Sequence, residues 1–67
     1  MVRASFEDLM EMISVEDEVL LITRDLRVVE IRGPYELGAV EHIYGKTKDG
    51  RLAWVVNSDG TVEVKRR

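Results

Sequence analysis

The chain has 67 residues, a net charge of −3 at pH 7, 34% charged and 45% hydrophobic residues, and no Cys. It is therefore one small domain, hydrophobic enough to fold, without disulfides and with a core too small to stabilise it generously. The net negative charge argues against a sequence-independent nucleic-acid coat protein, which needs a large positive excess. A single His and no Cys leave no metal-ligand cluster, so no metal or other cofactor is expected. Of the usual supports for so small a fold, self-association remains.

Ser5 opens the first element, a hydroxyl placed to cap a helix whose first turn carries Glu7 and Asp8. Phe6, Leu9, Met10 and Ile13 follow at i, i+3, i+4 and i+7, which predicts a helix over about 5–13 with one apolar stripe. The segments 18–23 (EVLLIT) and 26–32 (LRVVEIR) are rich in β-branched residues around a polar break at Arg24 and Asp25, and predict a hairpin. An alternative takes Ser14–Asp17 as a second cap and continues as helix to Leu26. Gly33 and Pro34 then interrupt the pattern, and a loop runs to Gly38.

Asp49-Gly50 and Asp59-Gly60 punctuate strands expected at about 39–46, 51–57 and 61–66. A bulged turn at Asp59-Gly60 sets Asn57 opposite Thr61, and hence Val56 with Val62, Trp54 with Val64 and Leu52 with Arg66. The same turn at Asp49-Gly50 would set Tyr44 opposite Trp54 and His42 opposite Val56; a two-residue turn would slip that register by one. The segment Leu52–Val56 is apolar on both faces, as a central strand covered twice should be, whereas the last strand is half wet like an edge. Helix, first hairpin and a second copy are the candidate covers.

The expected fold is α+β or mainly β: a short helix followed by a five-stranded antiparallel meander, as a strongly bent sheet or a small barrel. The candidate core is Phe6, Leu9, Met10, Ile13, Leu20, Ile22, Val29, Ile31, Tyr44, Leu52, Trp54, Val56, Val62 and Val64. The order of a helix and then five strands resembles Sm-like RNA-binding proteins and, loosely, SH3-like barrels. That resemblance lies in element order alone, and no residue role follows from it.

Charge is divided along the chain, −5 up to Ile22 and +2 from Thr23 onward. If the strands run up and down in chain order, Arg24, Arg27, Lys46, Lys48, Arg51, Lys65, Arg66 and Arg67 gather at one end of the sheet, while Glu16, Asp17, Glu18, Glu36, Glu41 and Asp59 gather at the other. Such an end suits phosphate or carboxylate, or is simply solvated and keeps the sheet ends from sticking. Tyr44 and Trp54 on one face would serve as base-stacking platforms or, more simply, as core. Ser5, Ser14 and Ser58 sit at cap or turn positions without an identifiable base, and Gly33-x-x-x-x-Gly38 lacks the ending of a phosphate loop.

The sequence thus predicts a non-catalytic binding or regulatory module that forms homo-oligomers or binds another protein. The alternative is a nucleic-acid-binding small barrel using the basic end; a virion or scaffold component is a third reading without a distinguishing feature. No apolar run approaches the length of a membrane span and no export signal is apparent, so a cytoplasmic site is expected. The high charge content and lack of Gln point toward a heat-adapted source.

Overall fold

The structure is a computed structural model that describes residues 1–67. Ser5 caps the helix α1 (Phe6–Met12): its hydroxyl accepts from the Asp8 N–H at 3.1 Å, and the Asp8 carboxylate accepts from the Ser5 N–H at 3.4 Å. This reciprocal pair satisfies two amides that a helix start leaves open. Around the helix the chain forms six strands, β1 (Val2–Ala4), β2 (Glu18–Ile22), β3 (Val28–Arg32), β4 (Tyr44–Thr47), β5 (Leu52–Val56) and β6 (Val62–Arg66). Ser14–Asp17 is a tight turn, with the Ser14 N–H donating to the Asp17 carboxylate at 2.9 Å, and the residues after it are strand rather than helix. No helix is long and apolar enough to cross a membrane.

All strand pairs are antiparallel, in the order β1-β6-β5-β4-β2-β3, and the sheet is open. This corrects the expected fold in three respects. A sixth strand is present, because Val2–Ala4 pairs with β6. The sheet does not close into a barrel. The chain order is broken, because β4 lies beside β2 instead of β3. The reason lies in β2 itself: Val19 and Leu21 are apolar on one face, Leu20 and Ile22 on the other, so β2 belongs in the interior of the sheet, whereas β3 exposes Val28, Glu30 and Arg32 and suits an edge.

Because β3 and β4 are each antiparallel to β2, they run in the same direction, and no tight hairpin can join them. Residues 33–43 therefore travel from one end of the sheet to the other, through a turn in which the Leu37 N–H donates to the Pro34 carbonyl at 3.2 Å. Leu37, on this crossover, is buried in the core with Leu9 and Ile13 of the helix segment. They cover the face that presents Val19, Leu21, Ile31, Leu52, Trp54, Val62 and Val64, with Phe6, Met10, Val29 and Val56 packed at its margin. Leu20, Ile22 and Tyr44, expected in the core, lie on the reverse face instead.

The hairpin β5–β6 has the expected register, with Val56 opposite Val62, Trp54 opposite Val64 and Leu52 opposite Arg66. Gly60, at φ +88°, closes its turn. The β4–β5 hairpin is slipped by one residue from the bulged form, pairing Tyr44 with Val55 and Gly45 with Trp54. Tyr44 and Trp54 thus occupy opposite faces. Two contacts hold this register. A Cβ on Gly45 would lie 2.3 Å from Cζ2 of Trp54, so the indole occupies the space that any side chain there would need. The buried Thr47 hydroxyl accepts from the Leu52 N–H at 3.0 Å, replacing a backbone pair where Lys48–Arg51 loop out.

The β2–β3 turn contains Leu26 at φ +64°, a conformation ordinarily given to Gly, although its side chain is 75% exposed. Two stability predictions follow from these backbone positions. Gly45→Ala should lower unfolding free energy by about 1–3 kcal/mol, because the indole cannot yield without repacking; Leu26→Gly should raise it by about 1 kcal/mol by relieving the left-handed leucine. Urea denaturation midpoints check both.

Candidate interaction surface

The broken strand order determines where the charges fall. Since β4 runs opposite to the direction a meander would give it, the Lys48–Arg51 turn and the Arg24–Arg27 turn are at opposite ends of the sheet. Arg24 and Arg27 lie with the Asn57–Gly60 turn; Lys48, Arg51, Arg66 and Arg67 lie with the Ser14–Asp17 turn, where the Arg67 N–H donates to the Arg51 carbonyl at 3.1 Å. Lys46 and Lys65 belong to neither end. They flank Ala53 in mid-sheet. The eight cations are therefore not one cluster.

The acids are redistributed likewise. Glu16, Asp17 and Glu18 share the end that carries Lys48, whose ammonium lies 3.3 Å from Glu18 and 3.7 Å from Glu30. Arg51 pairs with Asp17 and donates to the Met12 carbonyl at 3.4 Å, tying the end of the helix to the β4–β5 turn. At the other end Arg24 pairs with Glu41 at 3.0 Å and Arg27 with Asp25 at 3.2 Å. Lys46, Lys65, Arg66 and Arg67 form no ion pair within 4.0 Å. Four of the eight cations are thus paired and four are not, and they are divided between the two ends and the middle of the sheet.

The core side of the sheet is closed by satisfied polar groups. The ring of His42 is buried, with Nδ1 2.8 Å from the Val40 carbonyl and Nε2 accepting from Nε1–H of Trp54 at 3.2 Å. Those contacts assign the proton to Nδ1 and give the tryptophan N–H the partner that burial requires. Phe6 meets the same imidazole edge-on, with ring centroids 5.7 Å apart. Beside them is an open cleft of about 610 Å³ between the crossover and the β5–β6 turn, lined by Phe6, Leu37, Val40, His42, Val56 and Asn57 among others. His42 is engaged on both nitrogens, and no three His, Asp or Glu side chains are arranged to hold a metal ion.

The reverse face is different, because no element of the chain packs on it. Two rows cross the central strands. Glu30, Leu20, Lys46, Ala53 and Lys65 form one; Val28, Ile22, Tyr44, Val55 and Glu63 form the other. Leu20, Ile22, Tyr44, Ala53 and Val55 are half-buried by their neighbours alone, and Val28 is 69% exposed. An apolar row from Val28 to Val55, flanked by Leu20 and Ala53 on either side of Lys46, with Glu30, Glu63 and Lys65 at the margin, has the composition of a contact surface. Sequence reasoning missed this strip because it assigned Leu20, Ile22 and Tyr44 to the core. The signal was present in EVLLI, whose apolar residues occupy both faces just as they do in LAWVV.

The turn carboxylates carry the clearest electrostatic signature. Asp49 is held below the usual carboxylate range by the Arg51 N–H, which donates to it at 3.0 Å, and by the Thr47 hydroxyl; Asp59 is lowered by the hydroxyl and N–H of Thr61 at 2.6 and 3.0 Å. Lys48 is raised by its hydrogen bond to Glu18 and by the charges of Glu18 and Glu30. Carboxylates with depressed folded values contribute stability that is complete above about pH 4 and is lost as pH falls through those values; the Lys48 contribution is lost only as pH rises through its raised value. The double variant Asp49→Asn, Asp59→Asn should therefore show a flatter acid limb in stability against pH than the parent, with the alkaline limb unchanged, as read from urea melts across the pH range. No protein-family model, curated protein or solved structure matches the chain.

Proposed function

We propose that the protein is a non-catalytic interaction module that works by docking a protein, including a further copy of itself, on the uncovered face of its sheet. The observation that carries this reading is the strip of Leu20, Ile22, Tyr44, Ala53 and Val55, apolar side chains on three interior strands with nothing of the chain laid over them. Interior strands that are apolar on both sides gain from cover on both sides, at roughly 25 cal/mol for each Å² of apolar surface removed from water. In a 67-residue domain that gain is a substantial part of the total stability.

The β2–β3 hairpin supports the same reading. Leu26 and Val28 are both strongly exposed, and Leu26 is retained in a left-handed conformation where Gly would be unstrained. Backbone strain kept at an exposed apolar residue is what a contact site produces when the side chain matters more than the turn. The histidine and serines are engaged in packing, caps and turns, which favours binding over catalysis.

The nucleic-acid reading would now rest on Lys46, Lys65, Arg66 and Arg67 with Tyr44, since Lys48 and Arg51 are held by Glu18, Glu30 and Asp17. Sedimentation velocity over a range up to high micromolar concentration should show the parent protein above monomer mass, and Ile22→Lys should return it to monomer without loss of its circular-dichroism spectrum. A strictly monomeric parent that binds single-stranded DNA or RNA at low salt, with affinity falling steeply as salt rises, would replace this reading by the nucleic-acid one.

A further inference from the structure

We infer that the reverse face seats a second copy of the chain across a two-fold axis that lies in the interface and runs across the strands, between the row of Lys46 and the row of Tyr44. This deepens the interaction-module reading and rests on it. Residues two apart on a strand share a face, so an axis between the two rows brings each strand over its own counterpart, with the rows exchanged. Lys46 of one copy then lies over Tyr44 of the other, Leu20 over Ile22, Ala53 over Val55 and Lys65 over Glu63.

Four of the five meetings are complementary; the fifth, on the edge strand β3, sets Glu30 over Val28. The central one sets an ammonium that has no ion-pair partner in its own chain over a tyrosine ring, a favourable arrangement when partly desolvated. The next two bury aliphatic groups against each other, and the flanking one matches a free lysine with a glutamate. The other symmetric choice, an axis parallel to the strands along β4, fails the same examination. At the flanks it is no worse, with Glu30 against Lys65 and Glu63 against Val28, but it would place Lys46 on Lys46 at the centre. Like charges facing at the middle of a desolvated patch are strongly unfavourable.

The geometry also suits sheet packing in general. Two sheets stack about 10 Å apart with strand directions within about 30°, so contacts at the central strand β4 and its neighbours survive the twist that displaces the outer ones. Five strands about 4.8 Å apart and five residues long give a footprint of roughly 400 Å² per copy. At roughly 800 Å² over both copies this is smaller than a standard stable interface, so the association is a weak, transient one.

The two charges at the flank allow a test by complementation. In Glu63→Lys alone, both flanking contacts of the dimer become lysine against lysine; in Lys65→Glu alone, both become glutamate against glutamate. Each single variant should weaken self-association by about threefold to tenfold, the scale of two rim pairs per dimer. Mixing the two variants makes a heterodimer in which each lysine again faces a glutamate, and sedimentation equilibrium of the mixture should return to within about twofold of the parent. Thermal melts of each variant at dilute, monomeric concentration separate any effect on folding from the effect on association.

A parent that self-associates while the mixture stays as weak as the single variants overturns this arrangement but leaves the protein a self-associating module through another surface. A parent that remains monomeric at high micromolar concentration overturns both. Recovery in the mixture has no explanation within one chain, because each single variant still carries its altered charge beside its own neighbours.

Discussion

The indole of Trp54 lies over Gly45, and the rest of the sheet depends on that contact. A side chain at position 45 would collide with Cζ2 at 2.3 Å, so only this pairing of β4 with β5 lets the tryptophan enter the core. Its N–H then reaches His42, whose other nitrogen meets the Val40 carbonyl, and the crossover is fastened over the core by the same chain of contacts. Slipping the register by one residue would put Tyr44 where Gly45 is and carry Lys46 into the place of Thr47. Strand alternation allows no intermediate arrangement.

Two-sidedness follows from that register. With Gly45 and Thr47 facing the helix, Tyr44 and Lys46 must face away, in line with Leu20 and Ile22 on β2 and with Ala53 and Val55 on β5. The helix and Leu37 supply cover for one face only, because the chain has a single seven-residue helix and one crossover to spend on it. The apolar strip on the other side is thus a consequence of how the core is built. Its position on interior strands and the lysine and glutamate around it are the basis of the docking surface we propose.

The charges illustrate how a topological detail governs electrostatics. A direct β3–β4 hairpin would have brought Arg24 and Arg27 to the same end as Lys48. The crossover reverses β4 relative to that expectation, and the two turns separate by the length of the sheet. The turn cations then meet acids near their own end: Arg24 meets Glu41, Arg27 meets Asp25, Lys48 meets Glu18 and Glu30, and Arg51 meets Asp17. Screening over about 8 Å makes the two ends independent of one another.

What the sequence by itself determined is local. The Ser5 cap, the helix stripe and the Asp59-Gly60 turn with its strand register are set by hydrogen bonds and φ preferences within a few residues, and all are legible without the fold. The tertiary structure alone decided that β4 lies beside β2, that Val2–Ala4 adds a sixth strand, and that of the two β4–β5 registers the sequence allows the slipped one forms. Those outcomes depend on which faces can be covered and on whether an indole fits above a backbone, and neither question has an answer until distant segments meet. Leu20, Ile22 and Tyr44 mark the boundary between the two: their apolar character is plain in the sequence, but the face they occupy is fixed only by pairing across the sheet.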